Sequence, residues 1–278
     1  MGPRAVARSQ LVADLRRLGV PAGVIVMAHT RMSAIGWVIG GSETVVRALL
    51  ETLGPDGTLM AYASWQEHVY HVTDWPAGHR DAYVAEPPVF HVATAEAARD
   101  HGRIPERVRT WPGAEHSAHP EAAVVAVGAR AGWLTDGHAA DDAYGAGSPF
   151  SRLVDAGGHV LLLGAPLDTA TLLHHAEAIA RVSPKRRVTF SIPVAESGGV
   201  VERTYTDIDT SKGAFPYEEL GLEEDEFAVI VRAALAGGIG VSGRVGQAES
   251  HLLPARELVR LGVAWMEERF GGGVRHGP

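Results

Sequence analysis

The sequence predicts a single α/β domain over residues 1–278, with a central mixed, mainly parallel sheet flanked by helices and an antiparallel region near the C-terminus. Two observations lead to this prediction. Short apolar runs alternate with helical patterns along the first two-thirds of the chain, which favours parallel strands joined by helices. The last third contains two strand-like segments joined by a glycine-containing turn, which favours an antiparallel pair.

The first part of the chain has the order helix, strand, helix, strand. Ser9 is a candidate N-cap and Gly19 a candidate stop for the first helix, and Ser42 is a candidate cap for the second. The predicted elements are a helix over residues 10–18, a strand over 23–28, a helix over 42–53 and a strand over 58–63. This order predicts a βαβ unit with parallel strands.

The middle of the chain begins with a segment that shows no periodicity. Residues 64–92 are predicted to form an irregular loop that carries aromatic side chains, namely Trp65, Tyr70, Trp75, Tyr83 and Phe90. A loop of this length in a compact domain is more often functional than idle. The elements predicted after it are a helix over 93–101 that ends at Gly102, strands over 122–127 and 159–163, and helices over 130–135 and 168–181.

The last third of the chain has a different pattern. Residues 185–194 and 199–206 are predicted to form an antiparallel pair, followed by helices over 219–235 and 254–270. Residues 238–243 match the glycine spacing of a dinucleotide-binding loop. Because this segment follows a predicted helix rather than a strand, we interpret it as a flexible turn.

The charge balance of the chain limits its partners. The formal net charge is -8 and the isoelectric point is near 5.9, which argues against a nucleic-acid-binding protein. An acidic cleft would attract a cationic partner, although mild acidity also serves solubility in many enzymes. We expect no nucleic-acid partner, and a monomer or a homodimer.

The chain has no cysteine, which excludes disulfides, thiolate metal sites and a cysteine nucleophile. Its longest apolar runs, such as residues 160–166, are too short for a membrane span. The N-terminus has no continuous apolar stretch of the kind found in signal peptides. We therefore expect a cytoplasmic protein with no membrane partner.

The strongest local pattern is a polar stripe on the predicted helix over 168–181. Thr171, His174 and Glu177 are spaced three apart and therefore share one helix face. A histidine beside a carboxylate can act as a general base near neutral pH. The same spacing also fits a core histidine that is satisfied by the structure, or a stripe that faces solvent.

Two other interpretations of local patterns remain open. His174, His175 and Glu177 could ligate a metal, but the further carboxylates that a helical di-metal site needs have no matching pair here, so we expect no metal. Residues 29–41 leave a buried strand and end at Gly40-Gly41-Ser42 before a helix. Backbone N–H groups at such a junction can hold phosphate, but an ordinary βα loop fits as well.

Several long motifs, in the same order, resemble the aminoglycoside 3-N-acetyltransferase family from about residue 11 to residue 270. The matching stretches are residues 29–41, 57–65, 109–114, 117–121, 161–169, 173–177 and 243–246. The resemblance implies acetylation of the 3-amino group of 2-deoxystreptamine antibiotics with acetyl-coenzyme A (acetyl-CoA), and thus antibiotic resistance. It also implies a fold unlike the common Gcn5-type acetyltransferase fold, whose characteristic loop is absent here.

The resemblance also implies roles for individual residues. His174 matches the catalytic histidine of the family, and Glu177 and Thr171 match positions beside it. The cofactor-binding residues that it implies are Thr30, Arg31, Met32, Ser33, Gly36 and Ser117, and the substrate-binding residues are Tyr62, Trp65, Asp142 and Asp209. One position departs from the family. His116 stands where relatives usually carry Arg before the serine of the Ser-x-His-Pro loop, so we expect a CoA phosphate contact or the anchoring of this loop to differ.

The proposed chemistry is removal of a proton from an ammonium group by His174, with Glu177 or another nearby carboxylate holding the imidazole. Three alternatives stay open: an acetyltransferase of the same fold acting on another amine, a non-catalytic binder of cationic metabolites, and a metal-dependent hydrolase.

Overall fold

The computed structural model describes residues 5–65 and 69–271. Within them, the strands are β1 (Ala5–Val6), β2 (Ile25–Thr30), β3 (Trp37–Val38), β4 (Thr58–Tyr62), β5 (Glu115–His116), β6 (Val124–Gly128), β7 (His159–Leu163), β8 (Arg187–Glu196), β9 (Gly199–Ile208), β10 (Val241–Val245) and β11 (Ala248–Pro254). The helices are α1 (Arg8–Leu18), α2 (Met32–Ile35), α3 (Gly41–Leu53), α4 (Ala77–Ala85), α5 (Arg103–Arg109), α6 (Ala131–Thr135), α7 (Pro149–Asp155), α8 (Leu173–Ile179), α9 (Glu226–Ala236) and α10 (Ala255–Phe270).

The central sheet is mixed, as predicted, and has the strand order β10-β11-β7-β2-β4-β6-β5. The three central strands β7, β2 and β4 are parallel, which confirms the predicted βαβ unit. The strands on both sides of them pair antiparallel. Parallel pairing in this sheet is therefore confined to the three central strands. The sheet has fewer parallel strand pairs than the prediction of a mainly parallel sheet implies.

Apolar residues on the two faces of the sheet build two separate cores. Side chains alternate between the faces of a strand, so Ile25 and Met27 of β2 enter one core while Val26 and Ala28 enter the other. Helices α1, α3 and α5 cover the second core, and helices α6 to α10 cover the first. The molecule is thus a three-layer arrangement of helices, sheet and helices. Among the helices within the described ranges, none combines the length and the apolar character needed to cross a membrane.

The hairpin of β8 and β9 stands apart from the central sheet. It confirms the predicted antiparallel pair, and its pairing runs from Arg187–Ile208 to Glu196–Gly199. One face of the hairpin packs on a third apolar cluster that includes Trp65, Phe90 and Phe190. The aromatic loop therefore supplies a small core beneath the hairpin.

Three predictions about elements were wrong. The segment over 64–92 is not wholly irregular, because it contains α4, while its residues 66–68 lie outside the described residues. Residues 93–101 do not form an α-helix: Ala97 bridges to Trp65, and the Ala98 amide donates to the Ser64 carbonyl. Residues 238–243 are not only a turn, since β10 begins at Val241.

The caps proposed for the first helices also differ from the structure. Ala7 and Gly40 occupy the N-cap positions of α1 and α3, so neither Ser9 nor Ser42 is the cap. Gly19 does end α1, in the left-handed conformation, which glycine adopts without a steric penalty.

Candidate active site

A cavity of about 740 Å³ lies at the carboxyl ends of the parallel strands β7, β2 and β4. Its walls include residues 28–30 at the end of β2, Tyr62 at the end of β4, and residues 165–166 just after β7. Thr171 and His174 close the side nearest to α8. Open α/β sheets bind their ligands at this edge, so the fold itself brings these distant segments together.

The ring of His174 is held in a fixed orientation by a hydrogen bond to Glu177. Its Nδ1 lies 2.6 Å from Oε2 of Glu177, one helical turn later on α8. The side chain of His174 keeps 17% of its surface exposed, whereas that of Glu177 keeps 0%. Because the carboxylate accepts the Nδ1 proton, the other ring nitrogen, Nε2, carries the lone pair and is the one left for a ligand in the cavity.

Both carboxylate oxygens of Glu177 accept hydrogen bonds. While Oε2 accepts from His174, Oε1 accepts from the backbone amide of Ala214 at 3.0 Å and from the hydroxyl of Tyr217 at 2.8 Å. An ionised carboxylate accepts hydrogen bonds only, and these donors satisfy it within a buried position. The carboxylate is fixed in place, and it fixes the imidazole in turn.

The surroundings of His174 are aromatic and acidic. Its ring lies 4.8 Å from the ring of Phe227 and 5.2 Å from that of Tyr144, centroid to centroid. Asp225 and Glu226 at the start of α9 interact electrostatically with His174, and burial raises the pKa of both carboxyl groups. Negative charge on this side stabilises an imidazolium.

Thr171 was predicted to lie on the same helix as His174, but α8 begins only at Leu173. A 3-10 turn over Leu167–Thr169 precedes it. Thr171 still lines the cavity beside His174, and its hydroxyl is 3.4 Å from the carbonyl of Thr169. The three predicted catalytic residues are therefore brought together.

Four of the predicted cofactor-binding residues line the cavity, namely Thr30, Arg31, Met32 and Ser33. Gly36 and Ser117 do not. A side chain at Gly36 would collide with Gln247, so this glycine allows a close approach between two loops. The buried Ser117 hydroxyl contacts Val124 N and His138 Nδ1, each at 2.9 Å, and it shapes the loop before β6.

Of the predicted substrate-binding residues, only Tyr62 lines the cavity. Trp65 packs against Phe90 in the core below the hairpin. The side chain of Asp142 is exposed and lies 4.0 Å from the guanidinium of Arg187. Asp209 lies beside the cavity, but its carboxylate already accepts from His71, from Ser211 and from the amide of Lys212.

His116 lies outside the cavity lining and anchors a loop. Its Nδ1 is 3.1 Å from the carbonyl of Val92, and its Nε2 is 3.0 Å from the carbonyl of Arg109. At this position, where the resemblance implies Arg, the side chain therefore serves loop anchoring. A guanidinium could donate hydrogen bonds to the same two carbonyls.

Several residues of the site gave no signal in the sequence. Tyr217 and Ala214 contact Glu177 from a segment about 40 residues further along the chain. His101, just before α5, also gave no signal, whereas His29 lies in a stretch that the sequence analysis singled out; both line the cavity. Burial, followed by the nearby His101, lowers the pKa of His29 to about 3. Spacing along the chain cannot reveal such contacts, because they depend on tertiary packing. The described residues contain no group of three or more His, Cys, Asp or Glu side chains that could hold a metal ion.

Known proteins are similar to this chain along almost its whole length. Residues 27–267 match the profile of a family described as aminoglycoside 3-N-acetyltransferase. The chain is 51% identical over 269 residues to aminoglycoside N(3)-acetyltransferase VIII of Streptomyces fradiae, which covers 96% of this chain and 94% of that relative.

Solved structures of aminoglycoside acetyltransferases are similar to this one, and two of them illustrate the likeness. Aminoglycoside acetyltransferase AAC(3)-Xa superposes with a TM-score of 0.91 at 48% identity, over 96% of this chain and 94% of that chain. AAC-IIIb, solved as a binary complex with CoASH, superposes with a TM-score of 0.89 at 40% identity, over 98% of this chain and 100% of that chain.

Proposed function

The chain belongs to the aminoglycoside 3-N-acetyltransferase family, and we propose that His174 is the general base of the acetyl transfer. The protein is an acyltransferase that moves the acetyl group of acetyl-CoA to the 3-amino nitrogen of a 2-deoxystreptamine aminoglycoside, which gives antibiotic resistance. One observation carries the proposal about His174. Its Nδ1 is engaged by Glu177 at 2.6 Å while the residue lines the cavity.

The reaction needs a base because an ammonium nitrogen has no lone pair. In the proposed sequence, Nε2 of His174 takes a proton from the 3-ammonium group. The freed nitrogen then attacks the thioester carbonyl and releases its second proton to water. As the C–S bond breaks and the neutral amide forms, the imidazolium returns the first proton to the departing sulfur. General-base help of this kind accelerates a reaction about 10²–10⁴-fold.

Glu177 assists both the removal of the proton from the amine and its later transfer to sulfur. It selects the tautomer with the proton on Nδ1, so that Nε2 is free to accept, and its charge stabilises the imidazolium that forms. We assign the same electrostatic role to Asp225 and Glu226, which act on His174 from the start of α9. Thr171 lines the cavity beside His174, and we assign it the role of a donor to the thioester oxygen as that oxygen becomes negative.

The two substrates are assigned to different walls of the cavity. We place acetyl-CoA along Thr30, Arg31, Met32 and Ser33, which supply polar groups and one positive charge, and the antibiotic near Tyr62 and His174. Asp225 and Glu226 add negative charge near His174. Several ammonium groups on the antibiotic favour an acidic surface. Acetylation turns one of them into a neutral amide, and a product with one fewer positive charge binds RNA less strongly.

The test is an acceptor panel with acetyl-CoA, followed by location of the acetyl group on the product by NMR. The proposal predicts thiol release with 2-deoxystreptamine aminoglycosides and a product acetylated at N3. Turnover only with other amines would favour an acetyltransferase of different specificity. Binding of the antibiotic without thiol release would favour a non-catalytic binder, and metal-dependent hydrolysis would favour a hydrolase.

A further inference from the structure

Two polar side chains at the end of β2 lack the partners that buried polar groups normally have. Nε2 of His29 and Oγ1 of Thr30 are sealed from solvent, and neither has a hydrogen-bond partner among residues 5–65 and 69–271. Both residues line the cavity that holds His174. Unpartnered buried polar atoms are uncommon in native proteins and call for an explanation.

The imidazole of His29 is neutral under ordinary conditions, because burial and the neighbouring His101 lower its pKa to about 3. A neutral imidazole carries one N–H donor and one lone pair. An orphaned N–H group is rarer in protein interiors than an under-satisfied acceptor. The sealed Nε2 is therefore assigned the lone pair, and Nδ1 carries the proton.

The Nδ1 edge of the ring is the one that a ligand can reach. Nδ1 is not buried, and it has no hydrogen-bond partner among the described residues. His29 as a whole is partly exposed and lines the cavity. The end of β2 thus presents a fixed, uncharged N–H donor. Such a donor suits a neutral carbonyl oxygen, and it offers nothing to an ammonium group, which cannot accept a hydrogen bond.

We propose that His29 is a substrate-binding residue whose Nδ1–H donates to a carbonyl oxygen of the acylated pantetheine arm of acetyl-CoA. This inference rests on the proposed function, which supplies the co-substrate. The arm carries two amide carbonyls and the thioester carbonyl. The amide carbonyls are stronger acceptors than the hydroxyl and ether oxygens of a 2-deoxystreptamine antibiotic, and the ammonium groups of that antibiotic accept no hydrogen bond.

The experiment compares three substitutions of His29 with acetyl-CoA and with acetyl-pantetheine, which lacks the phosphates and the nucleoside. The side-chain amide of His29→Asn reaches the position of Nδ1, that of His29→Gln reaches the position of Nε2, and His29→Phe has neither. The proposal predicts that Phe and Gln lower kcat/KM about tenfold for both acyl donors, and that Asn stays within about threefold of the parent. The KM for the antibiotic is expected to stay within about twofold.

His159 provides a matched control, because its Nδ1 is also sealed without a partner among the described residues, but it lies at the amino end of β7, away from the cavity. His159→Phe should leave kcat/KM for both donors unchanged. Three results would overturn the inference: unchanged kcat/KM in both His29→Phe and His29→Gln, a loss confined to the KM of the antibiotic, or an equal loss in all three variants. The proposed function is tested separately on the parent enzyme, by whether its product is acetylated at N3.

Discussion

His174 and Glu177 act as a pair because of where each residue is held. The spacing of three on a helix predicts that the two side chains meet, and they do so at 2.6 Å. What the spacing could not predict is the support from Tyr217 and Ala214, which come from a loop that packs under α8 only in the folded chain. The contact between His174 and Glu177 was therefore predictable from the sequence, whereas the contacts of Tyr217 and Ala214, which depend on tertiary packing, were not.

The first prediction concerns the hydroxyl of Tyr217, which donates to Oε1 of Glu177 at 2.8 Å. Tyr217→Phe removes one of the donors that hold the carboxylate. Hydrogen bonds to charged groups contribute about 1.5–3 kcal/mol, so we expect kcat to fall about tenfold or more, with little change in either KM. Steady-state kinetics would measure the two parameters separately.

A double-mutant cycle shows whether that hydroxyl acts through Glu177. In a Glu177→Gln background, Tyr217→Phe should change kcat by less than about twofold, because coupled residues are not additive. Tyr205→Phe, which removes a hydroxyl from β9, is the matched control and should have no effect on kcat. Equal losses from Tyr217→Phe in both backgrounds would show that the hydroxyl has only a structural role.

At the scale of elements, α8 is positioned by α10. Gly262 of α10 lies directly against α8, since a side-chain carbon there would come within 2.8 Å of Leu173 and 3.1 Å of Ala176. These two residues flank His174 on the sequence and face the core. The close approach of the two helices thus sets the position of His174 relative to the cavity.

The second prediction follows from that contact. Gly262→Val should push α8 away from α10, lower the free energy of unfolding by about 1–3 kcal/mol and reduce kcat. Gly132→Ala in α6, where nothing lies within 4 Å, should leave kcat unchanged and raise stability slightly. Urea unfolding and kinetics on both variants would check this, and a normal kcat in Gly262→Val would refute the positioning role of α10.

The elements that could be predicted are those with a clear apolar pattern. The buried strands β2, β4 and β7 and the helices α1, α3 and α10 were all predicted, within a few residues at their ends. β10 was missed because it is an edge strand with mostly exposed residues, so it carries no apolar alternation. The segment over 93–101 has helix-forming residues, but tertiary hydrogen bonds at Ala97 and Ala98 override that propensity.

At the scale of the whole molecule, buried ionisable groups make stability depend on pH. Burial lowers the pKa of His138 to about 4 and that of His119 well below its usual value, and it raises the pKa of Asp207 to about 7. Between about pH 4.5 and 6, the unfolded chain binds protons on both histidines, whereas the folded chain binds one on Asp207. Burial also lowers the pKa of His29 to about 3, so the unfolded chain binds a third histidine proton that the folded chain lacks. These four groups together make the unfolded state bind two more protons, so stability rises with pH in this window.

The third prediction is the size of that slope. One proton corresponds to about 1.4 kcal/mol per pH unit, so two protons predict about 2.7 kcal/mol per pH unit, which urea unfolding at pH 5 and pH 6 would measure. His138→Gln should lower the slope by about one proton, since that side chain then takes up no proton on unfolding, while substitution of the exposed His79 by Gln should not change the slope. A stability that falls from pH 5 to pH 6 would contradict the assigned charge states.

The fourth prediction concerns the net charge of -8. Attraction between an acidic protein and a polycation is screened by salt. The affinity for the antibiotic should therefore fall as the salt concentration rises, which calorimetric titration would show. Binding that is insensitive to salt would argue against recognition by charge.

The central claim is that His174 removes the proton from the amine, and the most direct measurement is thiol release from acetyl-CoA by His174→Ala in the presence of an aminoglycoside. The variant should bind both substrates with nearly unchanged affinity, and kcat should fall at least about 100-fold, the minimum that general-base help supplies. A kcat within about threefold of the parent would contradict the role of His174 as the base.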